Sequence, residues 1–152
     1  MARNRKDAGT GDLFAAIPQP VQAAPGGLDF RPEISCLVSQ MLAETQADNP
    51  EHDRYSVAAQ VSRLVGKEIS KAMLDGYTAE SRKAFNLPFW LVVALEHTCR
   101  STLLTDWHAA KRGGRFLMGP AALDAEIGRM QSEMEGMRDR LRAAQDLRRR
   151  MS

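Results

Sequence analysis

The most reactive side chains of the chain lie together at Glu96, His97 and Cys99, at the end of an apolar stretch. A cysteine nucleophile needs a histidine in hydrogen-bonding contact and a third group that orients this histidine. His97 and Cys99 are two positions apart, so on a helix their side chains point in different directions. We therefore interpret these residues as structural and expect no enzymatic activity.

Metal and cofactor binding are not indicated by the spacing of the other ligand-type residues. The cysteines Cys36 and Cys99 have no CxxC partner, and the three histidines are scattered, whereas a structural zinc site needs four closely placed ligands. The segment 112–115 contains two glycines but lacks the GxxxxGK[ST] frame of a phosphate loop, so we interpret it as a turn. We expect no cofactor, no metal and no small-molecule ligand.

Cationic and short polar side chains recur from Val57 to Arg82, and this chemistry suits nucleic acid. Basic side chains beside a turn are placed to contact phosphates, and short polar or cationic ones on a following helix suit entry into a groove. The predicted DNA-binding residues are Arg63, Lys67, Ser70, Lys71, Thr78 and Arg82.

A helix–turn–helix pattern over residues 56–82 would position these side chains. A helix from about Arg54 to Leu64 is broken at Gly66, because glycine accepts positive φ without strain. A second helix is predicted from about Ile69 to Phe85, with Ser70 as the candidate cap at its start. The turn is longer than the common form, and three carboxylates nearby would repel phosphate: Glu68, Asp75 and Glu80. A plain helical hairpin in a bundle is the alternative, and the pattern alone leaves both open.

Three further helices are predicted around this unit. One follows Arg31-Pro32-Glu33 and ends near Asp48. Another opens with Asn86 as cap and Pro88 near its first position; it is apolar nearly all round from Phe89 to Leu95, so we expect a buried central helix. A short helix follows, with Leu103, Leu104 and Trp107. The fold class is therefore all-α.

A long C-terminal helix carries an apolar seam with heptad spacing, which predicts oligomerisation as a dimer or tetramer. A helix with one such stripe is unstable alone and packs either on its own domain or on a second copy. Six arginines near its end, against two aspartates, suit phosphate binding or simply the helix terminus. The predicted oligomerisation residues are Leu123, Ile127, Met130, Met134, Met137 and Leu141.

The chain is predicted to have three parts: a disordered tail (1–28), a helical domain (29–118) and a coiled-coil-like helix (119–152). The tail is rich in proline and glycine but contains an apolar island at residues 12–18. Its Leu13-Phe14 pair resembles ligands of replication clamps, although the usual preceding glutamine is missing. We interpret the island as either a docking peptide or a transient turn.

The 152-residue chain has 21 Lys+Arg against 19 Asp+Glu, which excludes a uniformly basic nucleic-acid coat but allows a local basic face. Its two cysteines are too few for a disulfide framework, and no stretch approaches the ~20 apolar residues of a membrane span. We find no secretion signal and expect a cytoplasmic location without membrane contact.

The sequence from Leu28 to about Arg140 resembles small early-region proteins of Mu-like transposable phages and prophages, most of them without assigned function. A looser similarity, of layout only, is to phage CII-type regulators. The first resemblance rests on these residues: Asp53-Arg54-Tyr55, Val61 to Lys71, Met73-Leu74-Asp75, Tyr77 to Ser81, Asn86 to Phe89, Gly113-Gly114-Arg115 and Ala121 to Arg129.

Pattern and resemblance together predict a phage or prophage DNA-binding regulator or transposition accessory factor that acts as an oligomer on double-stranded DNA. The alternative is an interaction protein without DNA contact, in which the C-terminal helix or the N-terminal tail engages a phage or host protein. The DNA target, the sign of regulation and the orientation of the coil are left open by the sequence.

Overall fold

The computed structural model describes residues 18–151, and within this range the chain forms six α-helices and no strand. The predicted all-α fold and the long C-terminal helix are confirmed. Residues 1–17, including Leu13-Phe14, and residue 152 lie outside the described part. The helices are α1 (Arg31–Asp48), α2 (Arg54–Val65), α3 (Lys71–Thr78), α4 (Phe89–Cys99), α5 (Leu103–Lys111) and α6 (Pro120–Met151).

Contacts divide the chain into two units, one ending at Arg115 and the other beginning at Phe116. In the first unit, α2 packs mainly against α4, while α1 packs against α3 and α5. The core is aliphatic apart from one tyrosine and one methionine, as expected from a chain with few aromatic residues. It is made by Val38, Met41, Leu42, Val57, Ala58, Val61, Ile69, Leu74, Tyr77, Leu91, Leu95 and Leu104.

The helix predicted from Ile69 to Phe85 is shorter than expected, because α3 ends at Thr78 and turns follow it. The turns bring Phe85 back against Gly76, where an added Cβ would lie 2.8 Å from the Phe85 Cδ1. Only glycine fits so close to the ring. The correction moves Ser81 and Arg82 from the second helix into the segment that follows it.

The expectation that the helix after Pro88 is buried all round is wrong. Leu91 and Leu95 are fully buried, but Phe89, Trp90 and Val93 are 77%, 53% and 76% exposed. Asn86 does not cap α4; Pro88 occupies the N-cap position, and the Asn86 side chain donates to the Lys83 carbonyl oxygen at 3.4 Å. The outer face of α4 is therefore apolar and open to solvent.

Polar contacts hold α5 at both of its ends. The buried Glu96 carboxylate accepts from the Thr105 backbone N–H at 2.8 Å and from its hydroxyl at 2.6 Å, in the first turn of α5. At the other end, Lys111 lies 2.7 Å from the Glu33 carboxylate, which also accepts from the Trp107 indole N–H at 3.0 Å. These two contacts lower the pKa of Glu33, with the Lys111 contact the larger cause. The hydrogen bonds of Glu96 join α5 to α4, and the contacts of Glu33 join α5 to the start of α1.

The second unit consists of an extended stretch and α6, and none of the residues of α6 is buried. Intrahelical ion pairs support it on its polar sides: Arg129 contacts Glu126 and Glu133, and Arg142 lies 3.5 Å from Asp139. Within residues 18–151, no helix combines the length and the apolar character needed to cross a bilayer.

Candidate nucleic-acid interface

The turn between α2 and α3 is closed by the hydroxyl group of Ser62. This hydroxyl accepts a hydrogen bond from the Ile69 backbone N–H at 2.8 Å and donates to the Ala58 carbonyl oxygen at 2.8 Å. Gly66 ends α2 in the left-handed region at φ 67°, and Ile69 is buried in the core. The turn is thus fixed by one side chain, one glycine and one apolar anchor.

Ser70 is the N-cap of α3, as the sequence predicts. Its side chain accepts from the Met73 backbone N–H at 3.2 Å, which leaves the hydroxyl committed to the helix start rather than to solvent. The cap fixes where α3 begins, and Leu74 and Tyr77 then point into the core. Ser70 is therefore a positioning residue of α3 as well as a candidate contact.

Asp75 is the centre of a charge network that joins α2 to α3. Its carboxylate lies 2.6 Å from the Arg54 guanidinium and 2.5 Å from the Lys71 ammonium. Arg54 also donates to the Thr78 hydroxyl at 3.2 Å. The Lys71 hydrogen bond, followed by that of Arg54, lowers the pKa of Asp75, and Asp75 in turn raises the pKa of Lys71.

This network changes the role expected for three residues. Asp75, expected to repel phosphate, is neutralised by two cations of its own unit. Lys71 and Thr78, two of the predicted DNA contacts, already have partners within the protein. Arg54 was not among the predicted residues, and its spacing of 21 positions from Asp75 gives no signal in the sequence.

The remaining predicted cations, Arg63, Lys67 and Arg82, are exposed. Two of them rest on aromatic rings: the Lys67 ammonium lies 5.0 Å from the centre of the Trp90 ring, and the Arg82 guanidinium lies 5.9 Å from that of Phe85. Lys71 lies similarly 5.6 Å from Tyr55. Such contacts restrain a cationic side chain while its charge stays accessible to water and anions.

The charge of the segment from Arg54 to Lys83 is positive, with six basic side chains against three carboxylates. Of the carboxylates, Asp75 is paired, whereas Glu68 and Glu80 are exposed. The surface of α2, α3 and their connections is therefore cationic but interrupted by acidic groups. An anionic polymer would meet a modest rather than a dense positive field.

The predicted oligomerisation residues all lie on one exposed stripe of α6. Their exposed fractions range from 44% for Ile127 to 65% for Met137. Gly128 and Gly136 lie outside the stripe, and an added Cβ at either would meet no atom within 4 Å. The basic end carries Arg148, Arg149 and Arg150 in the last turn. The helix thus presents an apolar seam and a cationic end on separate parts of its surface.

The structure shows the surroundings of Glu96, His97 and Cys99, the residues first considered for catalysis. Glu96 is bonded to Thr105, His97 is exposed, and burial raises the pKa of the Cys99 thiol, which disfavours the thiolate. Among residues 18–151, no group of three or more His, Cys, Asp or Glu side chains is arranged to hold a metal ion.

The unit of α2, turn and α3 brings together Ser70, Lys71 and Thr78 with Arg63 and Lys67 at the turn, while Arg82 lies beyond the end of α3. Ser62 was not among the predicted site residues, and its bond to Ile69 depends on tertiary geometry. Comparison with known proteins gives no match: no family model, no curated protein and no solved structure is similar to this chain.

Proposed function

We propose that this protein is a phage or prophage DNA-binding regulator or transposition accessory factor that acts as an oligomer. The observation that carries the proposal is the cationic surface around the α2–α3 turn, where Arg63 and Lys67 are exposed and the only acidic residue of α3 is internally neutralised. In this proposal α3 acts as the recognition helix of a helix–turn–helix.

In the proposed mechanism, association through α6 brings two DNA-binding surfaces together. Two copies joined along the seam present two α3 helices, and contacts that are weak at one half-site add when both are engaged. Helix–turn–helix dimers place these helices about 34 Å apart, one turn of the duplex. The proposed target is therefore a palindrome in double-stranded DNA. The phage assignment rests on the sequence resemblance.

Selection from a random DNA library with the purified full chain tests the class of function. Enrichment of a palindromic sequence supports a two-fold regulator, and the absence of any enriched sequence contradicts it. Binding to the enriched site is then measured for the double variant Arg63→Ala, Lys67→Ala. We expect weaker binding and a slope of log affinity against log salt reduced by about 2, since two phosphate contacts are removed.

The matched control is Arg5→Ala, Lys6→Ala, which removes the same residue types from the N-terminal tail. The double variant at the turn is preferred to Lys71→Ala, because loss of Lys71 also removes a partner of Asp75. Equal losses of DNA affinity in both double variants would mean that binding depends on overall charge rather than on the α2–α3 surface.

A non-DNA interaction protein is the second candidate, favoured by the apolar seam of α6 and by the exposed side chains of Phe89, Trp90 and Val93. In this case the globular unit holds α6 or the tail for a phage or host protein. The library selection separates the two candidates, because this one predicts no enriched DNA sequence.

A further inference from the structure

An apolar groove of about 290 Å³ lies on the first unit between α1, α4 and α5. No lysine, arginine, aspartate or glutamate lines it; its polar residues are Thr105 and His108. Phe89 and Val93, at its edge, are more than three-quarters exposed. Its main apolar residues are Ile34, Leu87, Val92, Val93, Leu104 and Trp107.

Open apolar surface of this kind costs free energy in water, at roughly 25 cal/mol per Å². Soluble proteins cover such patches or use them for binding. The groove is formed wholly by the first unit, so an apolar segment near this unit along the chain is a natural occupant.

The N-terminal end of the described chain is fixed beside the groove. The Val21 backbone N–H donates to the Lys111 carbonyl oxygen at 3.0 Å. Pro20 packs so closely on Gly113 that an added Cβ there would lie 2.7 Å from the Pro20 Cδ. Val21 and Pro20 therefore lie at the C-terminal end of α5, against Lys111 and Gly113.

His108, the groove residue of α5 nearest to this anchor in the sequence, lies three positions before Lys111. Residues 104, 107, 108 and 111 share one side of a helix, since positions three and four apart are neighbours. From Lys111 back to Leu104 the helix rises about 10 Å, at about 1.5 Å per residue. An extended chain from Val21 back to Leu13 spans up to about 26 Å, so a segment that turns back along α5 has the length to reach the groove.

The segment directly before Pro18 has the matching chemistry. Residues 13–17 read Leu-Phe-Ala-Ala-Ile, with no charged or polar side chain. Leu13, Phe14 and Ile17 supply three large apolar groups, and the alanines allow close approach. We propose that residues 13–17 of the same chain occupy the groove between α1, α4 and α5 and cover its apolar surface.

Photo-crosslinking of the full chain tests the proposal directly. A benzophenone amino acid replaces Phe14, and an equal mixture of ¹⁵N-labelled and unlabelled protein is irradiated. We expect crosslinks to residues 87–93 or 104–108 within one chain, seen as products of a single isotope composition. The same group in place of Ala8 is the control and should give fewer groove crosslinks.

A second measurement reports on the groove without a crosslinker. In a Trp90→Phe background Trp107 is the single tryptophan, and Leu13→Asp with Phe14→Asp should red-shift its emission and increase its quenching by acrylamide. Ala2→Asp with Ala8→Asp adds the same charges elsewhere in the tail and should change neither. Two results would overturn the proposal. Mixed-isotope crosslinks would identify a second copy as the occupant of the groove. Unchanged emission and quenching of Trp107, together with the absence of groove crosslinks, would show that the tail does not cover the groove.

Discussion

At the residue scale, two serines of α2 have opposite environments. The Ser62 hydroxyl satisfies the Ile69 backbone N–H and closes the turn before α3. The Ser56 hydroxyl is buried and has no hydrogen-bond partner among the described residues. The same side chain is therefore structural at one position and a small cost at the other, six residues away in the sequence.

We predict that Ser62→Ala lowers the free energy of unfolding by about 1–3 kcal/mol, because a donor near the core loses its acceptor. The measurement is urea denaturation followed by circular dichroism. Ser56→Ala is the matched control on the same helix and should leave the stability unchanged or slightly increased. Equal losses in the two variants would show that the Ser62 bond does not stabilise the turn.

Individual residues also show where sequence reasoning succeeds. Gly66 and Ser70 were predicted as turn and cap, because positive φ and a free backbone N–H are local requirements. The Arg54–Asp75 pair and the contact of Phe85 with Gly76 could not be predicted, since each depends on how distant segments meet. The predicted DNA contacts stay predictions, although Ser70, Lys71 and Thr78 already make hydrogen bonds within the protein.

At the scale of elements, the ends of α1 and α2 were predicted to within one residue, whereas the end of α3 and the buried face of α4 were not. Residues 79–85 contain nothing that forbids a helix, and α3 ends because Phe85 folds back onto the unit. In α4, an apolar residue at nearly every position conceals which face is inside. In the structure, α1, α2 and α5 cover one face of α4 and leave its opposite face exposed, which the sequence pattern alone does not reveal.

The two glycines within α6 give a prediction about this helix alone. Gly128→Ala and Gly136→Ala should each stabilise it by about 1 kcal/mol, because alanine loses less backbone entropy and no atom of the described part of the chain lies within 4 Å of the new methyl group. Thermal unfolding followed by circular dichroism measures the effect, and Ala143→Gly should act in the opposite sense. Destabilisation by the alanines would mean that a partner helix approaches these glycines closely.

At the scale of the whole molecule, the two units differ in how much apolar surface each buries. The first contains its own core, whereas α6 buries no residue, and ion pairs at its surface supplement its backbone hydrogen bonds. Surface pairs of this kind contribute little, and helical stability in proteins comes mostly from packing. We therefore propose that the seam of α6 packs against a second copy of the chain.

Replacing Met130 and Met137 with aspartate should convert the oligomer into monomers, because two charges would enter the seam. Light scattering after size-exclusion chromatography, over a range of concentrations, measures the mass. Gln131→Asp with Gln145→Asp adds the same charges off the seam and should keep the oligomer. A wild-type chain that is monomeric throughout would contradict the expectation and indicate that the seam is covered within one chain.

The position of α6 after the globular unit also orders events during synthesis. The helices that form the core leave the ribosome before the seam does. A nascent chain can therefore form its core before the apolar seam of α6 is exposed. Chains that meet through the stripe have then already had time to fold. An apolar stripe that follows the core along the chain is exposed later in synthesis than the core itself.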